Sequence, residues 1–138
     1  VFYFFKLQQG TSSIRYLVIL KLFSALRRYL FTSAKRMSAE TAKKIDNLIE
    51  SNKVFVASKS YCPYCRATKH FFSTVYPEAY VIELDEISDG SDIQDYLYQK
   101  TGQRTVPNVF INGKHIGGNS DVQALGKDKV KKLIEAKL

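Results

Sequence analysis

Residues 60–65 read Ser-Tyr-Cys-Pro-Tyr-Cys, and Cys62 and Cys65 are the only cysteines in the chain. Two thiols at this spacing can clip a metal, close a structural disulfide or cycle as a redox pair. A structural zinc site needs four sulfur or imidazole ligands. Only His70 and His115 remain to supply the others, and neither stands at a ligand spacing from the pair. A disulfide across so short a loop removes little entropy from the unfolded chain. Redox exchange is favoured instead, because the motif opens a helix directly after an apolar run, Val54 to Ser58. Proline is preferred at the first helical position, where its missing N–H costs nothing, so Pro63 places Cys62 at the N-cap and Cys65 in the first turn. Unpaired amides and the positive end of the helix dipole stabilise a thiolate there. They lower a cysteine pKa from about 8.5 into the range of roughly 3.5–7.5. Lys59, three residues upstream, adds positive charge. Cys62 is the expected nucleophile, and Cys65 the partner that opens a mixed disulfide formed on it.

Two more segments can serve such a site. Thr105-Val106-Pro107 stands before an apolar strand pattern. Proline cannot donate to a central ladder, so Pro107 marks an edge, a strand start or a bend. A cis Val106-Pro107 bond would turn the Val106 backbone outward, free to pair with a peptide-like thiol as a short added strand; an ordinary turn proline is the plain alternative. Gly117-Gly118-Asn119-Ser120-Asp121 combines glycines that permit close backbone approach with Ser120 or Asp121 opening a helix. Amides at that helix start can hold a carboxylate, or the segment is simply a loop and an N-cap.

The elements that must position these residues follow from periodicity. Residues 40–52 place Ala42, Ile45, Leu48 and Ile49 on one helical stripe. Val54–Ser58 reads as a buried strand, and residues 65–76 as a helix with Ala67, Phe71 and Val75 on one face, ended by Pro77. Residues 80–84, YVIEL, read as a second buried strand. Strand, helix and strand in this order predict a parallel, right-handed crossover. A helix over 89–102 can be capped by Asp89 or Ser91 and stopped by Gly102. Asn112-Gly113, between two short apolar runs, predicts a type I′ hairpin. Two short helices, parted at Gly126, close the chain. The sum is an α/β fold, a four-stranded mixed β-sheet flanked by helices on both faces.

The 138 residues carry a net charge of +8, but unevenly. Residues 1–36 hold seven basic side chains and no acid, leaving 14 basic and 13 acidic over 37–138. The basic balance therefore belongs to a leader, which argues against reading the domain as a nucleic-acid binder. A basic, acid-free and partly amphipathic leader suits a mitochondrial transit peptide. A secretory signal or anchor, or an extension with no targeting role, are the alternatives. The apolar run Tyr16–Leu20, broken by Lys21, is short for a spanning helix. Met37, the only methionine, lies at the compositional break. A start there would give a second form, so a mitochondrial and a cytoplasmic product are expected, with 37–138 as the common domain.

The stretches KSYCPYC, GQRTVPNVFINGKHIGG and the following NSD resemble a dithiol glutaredoxin of CPYC type, in its fungal form. The similarity covers about residues 38–138 and leaves the leader outside. It implies the thioredoxin-like fold, a cis Val106-Pro107 bond, and glutathione as co-substrate with no metal. It also implies a glutathione groove of Lys59, Tyr64, Gln94, Thr105, Val106, Pro107, Gly118, Ser120 and Asp121. In it the Val106 backbone would pair with the cysteinyl part, the helix start near Ser120 and Asp121 would take the γ-glutamyl end, and Lys59 with Gln94 the glycyl carboxylate. The implied enzyme is a monomer that reduces protein disulfides and glutathionylated proteins in redox homeostasis and oxidative stress defence, with peroxidase- or transferase-like side activities. No nucleic acid or stable membrane insertion is implied. Thioredoxin, the nearest rival, carries Trp before the first cysteine and Gly-Pro between the pair; this chain has no Trp and has Pro63-Tyr64. A glutathione-ligated iron–sulfur cluster carrier is the alternative from another class.

Overall fold

The computed structural model describes residues 39–136. The leader, Met37 and the last two residues lie outside the described residues. Helix α1 (39–51) leads into β1 (Val54–Ser58), α2 (Pro63–Val75), β2 (Tyr80–Glu83), α3 (Gly90–Thr101), β3 (Asn108–Ile111), β4 (Lys114–Gly117) and α4 (Asn119–Glu135). The sheet order is β2-β1-β3-β4. β1 pairs parallel with β2 and antiparallel with β3, and β3 and β4 form the hairpin. Asn112 and Gly113 turn it with φ of 48° and 76°, the positive pair that a type I′ turn requires.

β1 explains the architecture. All five of its residues are buried, and because side chains alternate across a strand it feeds two cores. Phe55 and Ala57 join Ile45, Ile49, Ile82, Leu84, Ile93, Leu97 and Phe110 under α1 and α3. Val54 and Val56 join Phe71, Phe72, Val109, Ile111, Val122, Val130 and Ile134 under α2 and α4. A fully buried Phe or Ile contributes about 1.5–3 kcal/mol by leaving water, so the central strands, apolar on both faces, anchor the site-bearing loops at their ends.

Several expectations needed correction. The expected buried strand 80–84 is an edge strand, Tyr80–Glu83: Ile82, and Leu84 just past its end, are buried while Tyr80 is exposed, its ring stacked on Phe55 at 6.0 Å. On α2 the buried stripe is Cys65, Thr68, Phe71 and Phe72, and Ala67 faces solvent; the 67/71/75 row runs along the edge of the stripe. Asp89 occupies the α3 N-cap but makes no cap bond, because its carboxylate pairs with Lys44 at 2.8 Å. Gly102, at φ 75°, does end α3 in the left-handed conformation. Helix α4 starts at Asn119, with Gly118 as N-cap, just ahead of the Ser120 or Asp121 start expected; at Gly126 (φ 76°, ψ 163°) the backbone leaves helical geometry and parts it into the two helical segments expected. No helix among the described residues is long and apolar enough to cross a membrane.

Candidate active site

The cysteine motif sits where β1 hands over to α2. Cys62 is the N-cap of α2 in extended conformation (φ −79°, ψ 121°), and Pro63 opens the helix. The turn before it closes with Cys62 N–H donating to the Lys59 carbonyl at 3.1 Å. Asp85, just past β2, accepts from the Ser60 amide at 2.9 Å and from the Ser60 hydroxyl. These bonds from Ser60, with the nearby Lys59 ammonium, hold the Asp85 carboxyl below the usual range.

Both cysteines are free, Cys62 half-buried and Cys65 fully buried. The neutral Cys62 thiol closes no cap bond with its own helix. It points instead to the Val106 carbonyl, 3.8 Å away. Partial burial pushes its pKa up, but the Cys65 amide, the Cys65 thiol, the Tyr64 amide and the Arg66 charge outweigh that, and the net direction is down. Cys65 moves the other way. Burial raises its pKa most; the Lys59 backbone opposes that, the neighbouring Cys62 adds to the rise, the Ser58 hydroxyl lowers it by less, and the net direction is up. The Ser58 hydroxyl is completely buried and no other polar group bonds it. The two sulfurs are thus pushed in opposite directions, Cys62 toward its anion and Cys65 toward its thiol. Arg66, one turn into the helix, adds a cationic charge beside Cys62 that sequence reasoning did not name, while the Lys59 charge acts on Asp85.

The structure brings the other anticipated residues to the same edge. Val106-Pro107 is a cis bond. Its loop is held by Gln103, whose side-chain amide donates to the carbonyls of Thr105 (3.1 Å) and Pro107 (2.8 Å). The Gln94 side chain, expected to face a carboxylate, donates to the Arg104 carbonyl at 2.8 Å. Thr105 and Tyr64 are exposed, Tyr64 by 66%. Gly118 packs against the proline loop: a Cβ there would lie 3.7 Å from the Pro107 carbonyl oxygen. Asp121 accepts from the Gly118 amide at 2.8 Å, so this carboxylate braces the turn. Ser120 and Asp121, both exposed, stand in the first turn of α4, whose leading amides precede the first intrahelical bond, Val122 N–H to the Gly118 carbonyl.

Sequence reasoning missed Arg66, Gln103, Asp85 and Thr68. Only Arg66 carried a signal: it lies four residues after Cys62 in a helical register, one turn away. Of the two histidines, His70 is exposed on α2, and His115 packs on Phe110 in β4. Among the described residues no three His, Cys, Asp or Glu side chains cluster as a metal site.

The model of the glutaredoxin family matches residues 54–116. Glutaredoxin-1 of Saccharomyces cerevisiae is 50% identical over 93 residues, which cover 64% of this chain and 84% of that protein. Glutaredoxin-C4 of Arabidopsis thaliana is 40% identical over 121 residues, 87% of this chain and 90% of that one. The crystal structure of a buckwheat glutaredoxin–glutathione complex superposes with a TM-score of 0.68 at 44% identity, covering 72% of this chain and 91% of that one. Sequence, fold and the asymmetric thiol pair agree: the chain belongs to the glutaredoxin family of glutathione-dependent thiol–disulfide oxidoreductases.

Proposed function

We propose that Cys62 is the nucleophile and Cys65 the resolving thiol of this oxidoreductase. The observation that carries the reading is the opposed direction of the two sulfurs, one favoured as thiolate at a helix N-cap and the other buried as thiol within hydrogen-bond reach. In the monothiol route the Cys62 thiolate attacks the glutathionyl sulfur of a glutathionylated protein. The protein thiolate leaves and takes a proton, and Cys62 holds glutathione as a mixed disulfide. A glutathione thiolate then attacks that glutathionyl sulfur, releasing glutathione disulfide and the Cys62 thiolate. In the dithiol route Cys62 opens a protein disulfide. Cys65 gives up its proton and attacks the Cys62 sulfur, the second protein thiolate leaves, and two glutathiones reduce the Cys62–Cys65 bond. Potentials of about −200 to −230 mV, characteristic of the family, let a cellular glutathione pool drive both routes.

Glutathione lies, in this reading, across Tyr64, Thr105–Pro107 and Gly118–Asp121. The buckwheat relative was solved as a glutathione complex. The Val106 carbonyl beside the Cys62 sulfur suits the cysteinyl amide of glutathione, and the α4 start suits the γ-glutamyl carboxylate. Lys59 and Gln94 at the other end suit the glycyl carboxylate once Gln94 leaves Arg104. Pro63 between the two cysteines stiffens the loop and, by likeness to the family, favours exchange over cluster carriage. Glutathionylated and disulfide-bonded proteins are the macromolecular partners of a monomer. We place a leader-bearing form in mitochondria and a form started at Met37 in the cytoplasm, which intact-mass measurement of native protein from both fractions tests. The catalytic reading is tested with a glutathionylated peptide: Cys62→Ser is expected to be inactive and Cys65→Ser active, and the reverse pattern overturns the assignment.

A further inference from the structure

The two helices that carry the site are joined by a buried polar contact that exchange chemistry does not use. Thr68 lies three residues after Cys65 on the inner face of α2 and is 0% exposed. Its hydroxyl donates to the Asn119 side-chain oxygen at 3.0 Å. Asn119 is the first residue of α4 and follows the Gly118 N-cap directly; the same oxygen is approached by the Gln123 amide at 3.4 Å. A helical threonine hydroxyl commonly bonds back to a carbonyl of the preceding turn. Thr74 (to Phe71, 2.8 Å) and Thr101 (to Leu97, 2.7 Å) do so here. Thr68 alone of these reaches across to another helix, with Phe71 and Phe72 as its buried companions on α2.

We propose that Thr68 is a positioning residue: its bond to Asn119 sets the α4 start, with the Gly118–Asp121 turn, at a fixed distance from the Cys62 sulfur. Cys62 rides on α2 as its N-cap, and the candidate carboxylate-binding amides ride on α4. A bond between the helices therefore ties the sulfur end of the site to the α4 end. This rests on the reading that glutathione places its γ-glutamyl carboxylate at α4. Loss of the bond should loosen binding of glutathionyl substrates and leave the sulfur's own reactivity alone, since the Cys62 sulfur bonds the Val106 carbonyl and the Thr68 hydroxyl bonds Asn119 instead.

Thr68→Val keeps volume and branching and removes the donor. Losing one hydrogen bond corresponds to about a three- to tenfold effect, so KM for a glutathionylated peptide should rise by that factor with kcat nearly unchanged. The pH profile of Cys62 alkylation should not move, nor should single-turnover opening of bis(2-hydroxyethyl) disulfide, which has no carboxylate. Thr68→Ser should restore KM. Should Thr68→Val not fold, Asn119→Ala removes the acceptor from the other side and should give the same rise. Where both fold, the double variant should be no worse than either single one. A folded Thr68→Val or Asn119→Ala with KM within twofold of wild type overturns the proposal, as does a Thr68→Ser that behaves like Thr68→Val. Ser120→Glu separates the two failures by placing an anion at the α4 start. If it leaves KM unchanged, the carboxylate placement is wrong and the proposal falls with it; if it raises KM while Thr68→Val does not, only the Thr68 proposal falls.

Discussion

Replacing Cys65 tests the asymmetry between the sulfurs with a quantity that follows from the structure. The Cys62 anion is favoured by two backbone amides, by Arg66 and by the Cys65 thiol. Only the last is removed by Cys65→Ala; the amides and the guanidinium stay. Because burial holds Cys65 protonated, it can donate its S–H to the Cys62 thiolate. A thiol is a weak donor, so its contribution to an anion is taken just below the roughly 1.5–3 kcal/mol of ordinary donors to charged acceptors, at about 1–1.4 kcal/mol. That is about five- to tenfold in the ratio of thiolate to thiol. Alkylation by iodoacetamide reports this ratio at pH values below the Cys62 midpoint. Cys65→Ala should therefore react about five- to tenfold more slowly there than Cys65→Ser, whose hydroxyl remains a donor, and the two rates should converge at alkaline pH. Equal rates at every pH would refute a stabilising donor at position 65, and a faster Cys65→Ala would reverse its sign.

Other consequences extend from catalysis to stability. Cys62→Ser should lose all exchange with glutathionylated peptide and with protein disulfide, while Cys65→Ser should lose only the second, as followed by coupled glutathione oxidation. Gly90 is buried at the start of α3, and a Cβ there would drive into the Leu84 carbonyl. Because that neighbour is backbone, Gly90→Ala should destabilise by about 1–3 kcal/mol or more in urea unfolding, and a neutral result would mean that α3 shifts freely. Burial pushes the His115 pKa down, partly offset by Asp121, so the unfolded chain takes up this proton first. Stability should be highest above the unfolded value of about 6.5 and decline as pH falls through it. Asp46, Asp85 and Asp89, whose folded pKa values are also depressed, add their loss only near and below about pH 4. His115→Phe should flatten the denaturation midpoint between about pH 7.5 and 5.5, and an unchanged slope would assign the decline to another group.

What could be read in the residues was what local chemistry dictates. Pro63 after Cys62 pointed to the N-cap, Asn112-Gly113 to the turn, Gly102 to the helix stop, and the apolar run 54–58 to a buried strand, because each rule spans only a few residues. What escaped was what the fold assembles from distant positions. Ser60 meets Asp85 across 25 residues, and Thr68 meets Asn119 across 51. A polar threonine inside a helix reads as a solvent-facing residue until its partner is in view. β2 was over-read because Tyr80 and Val81 look apolar in sequence, yet an edge strand buries only one face. Asp89 stands where proximity along the chain suggests a cap, and in space its carboxylate pairs with Lys44 instead.

The most direct measurement of the central claim is ultraviolet titration of thiolate absorbance in reduced Cys65→Ser, where Cys62 is the sole thiol. The account predicts one ionisation with a midpoint clearly below the ordinary cysteine value of about 8.5, since the helix amides and Arg66 persist in that variant. A midpoint at or above the ordinary value would contradict it.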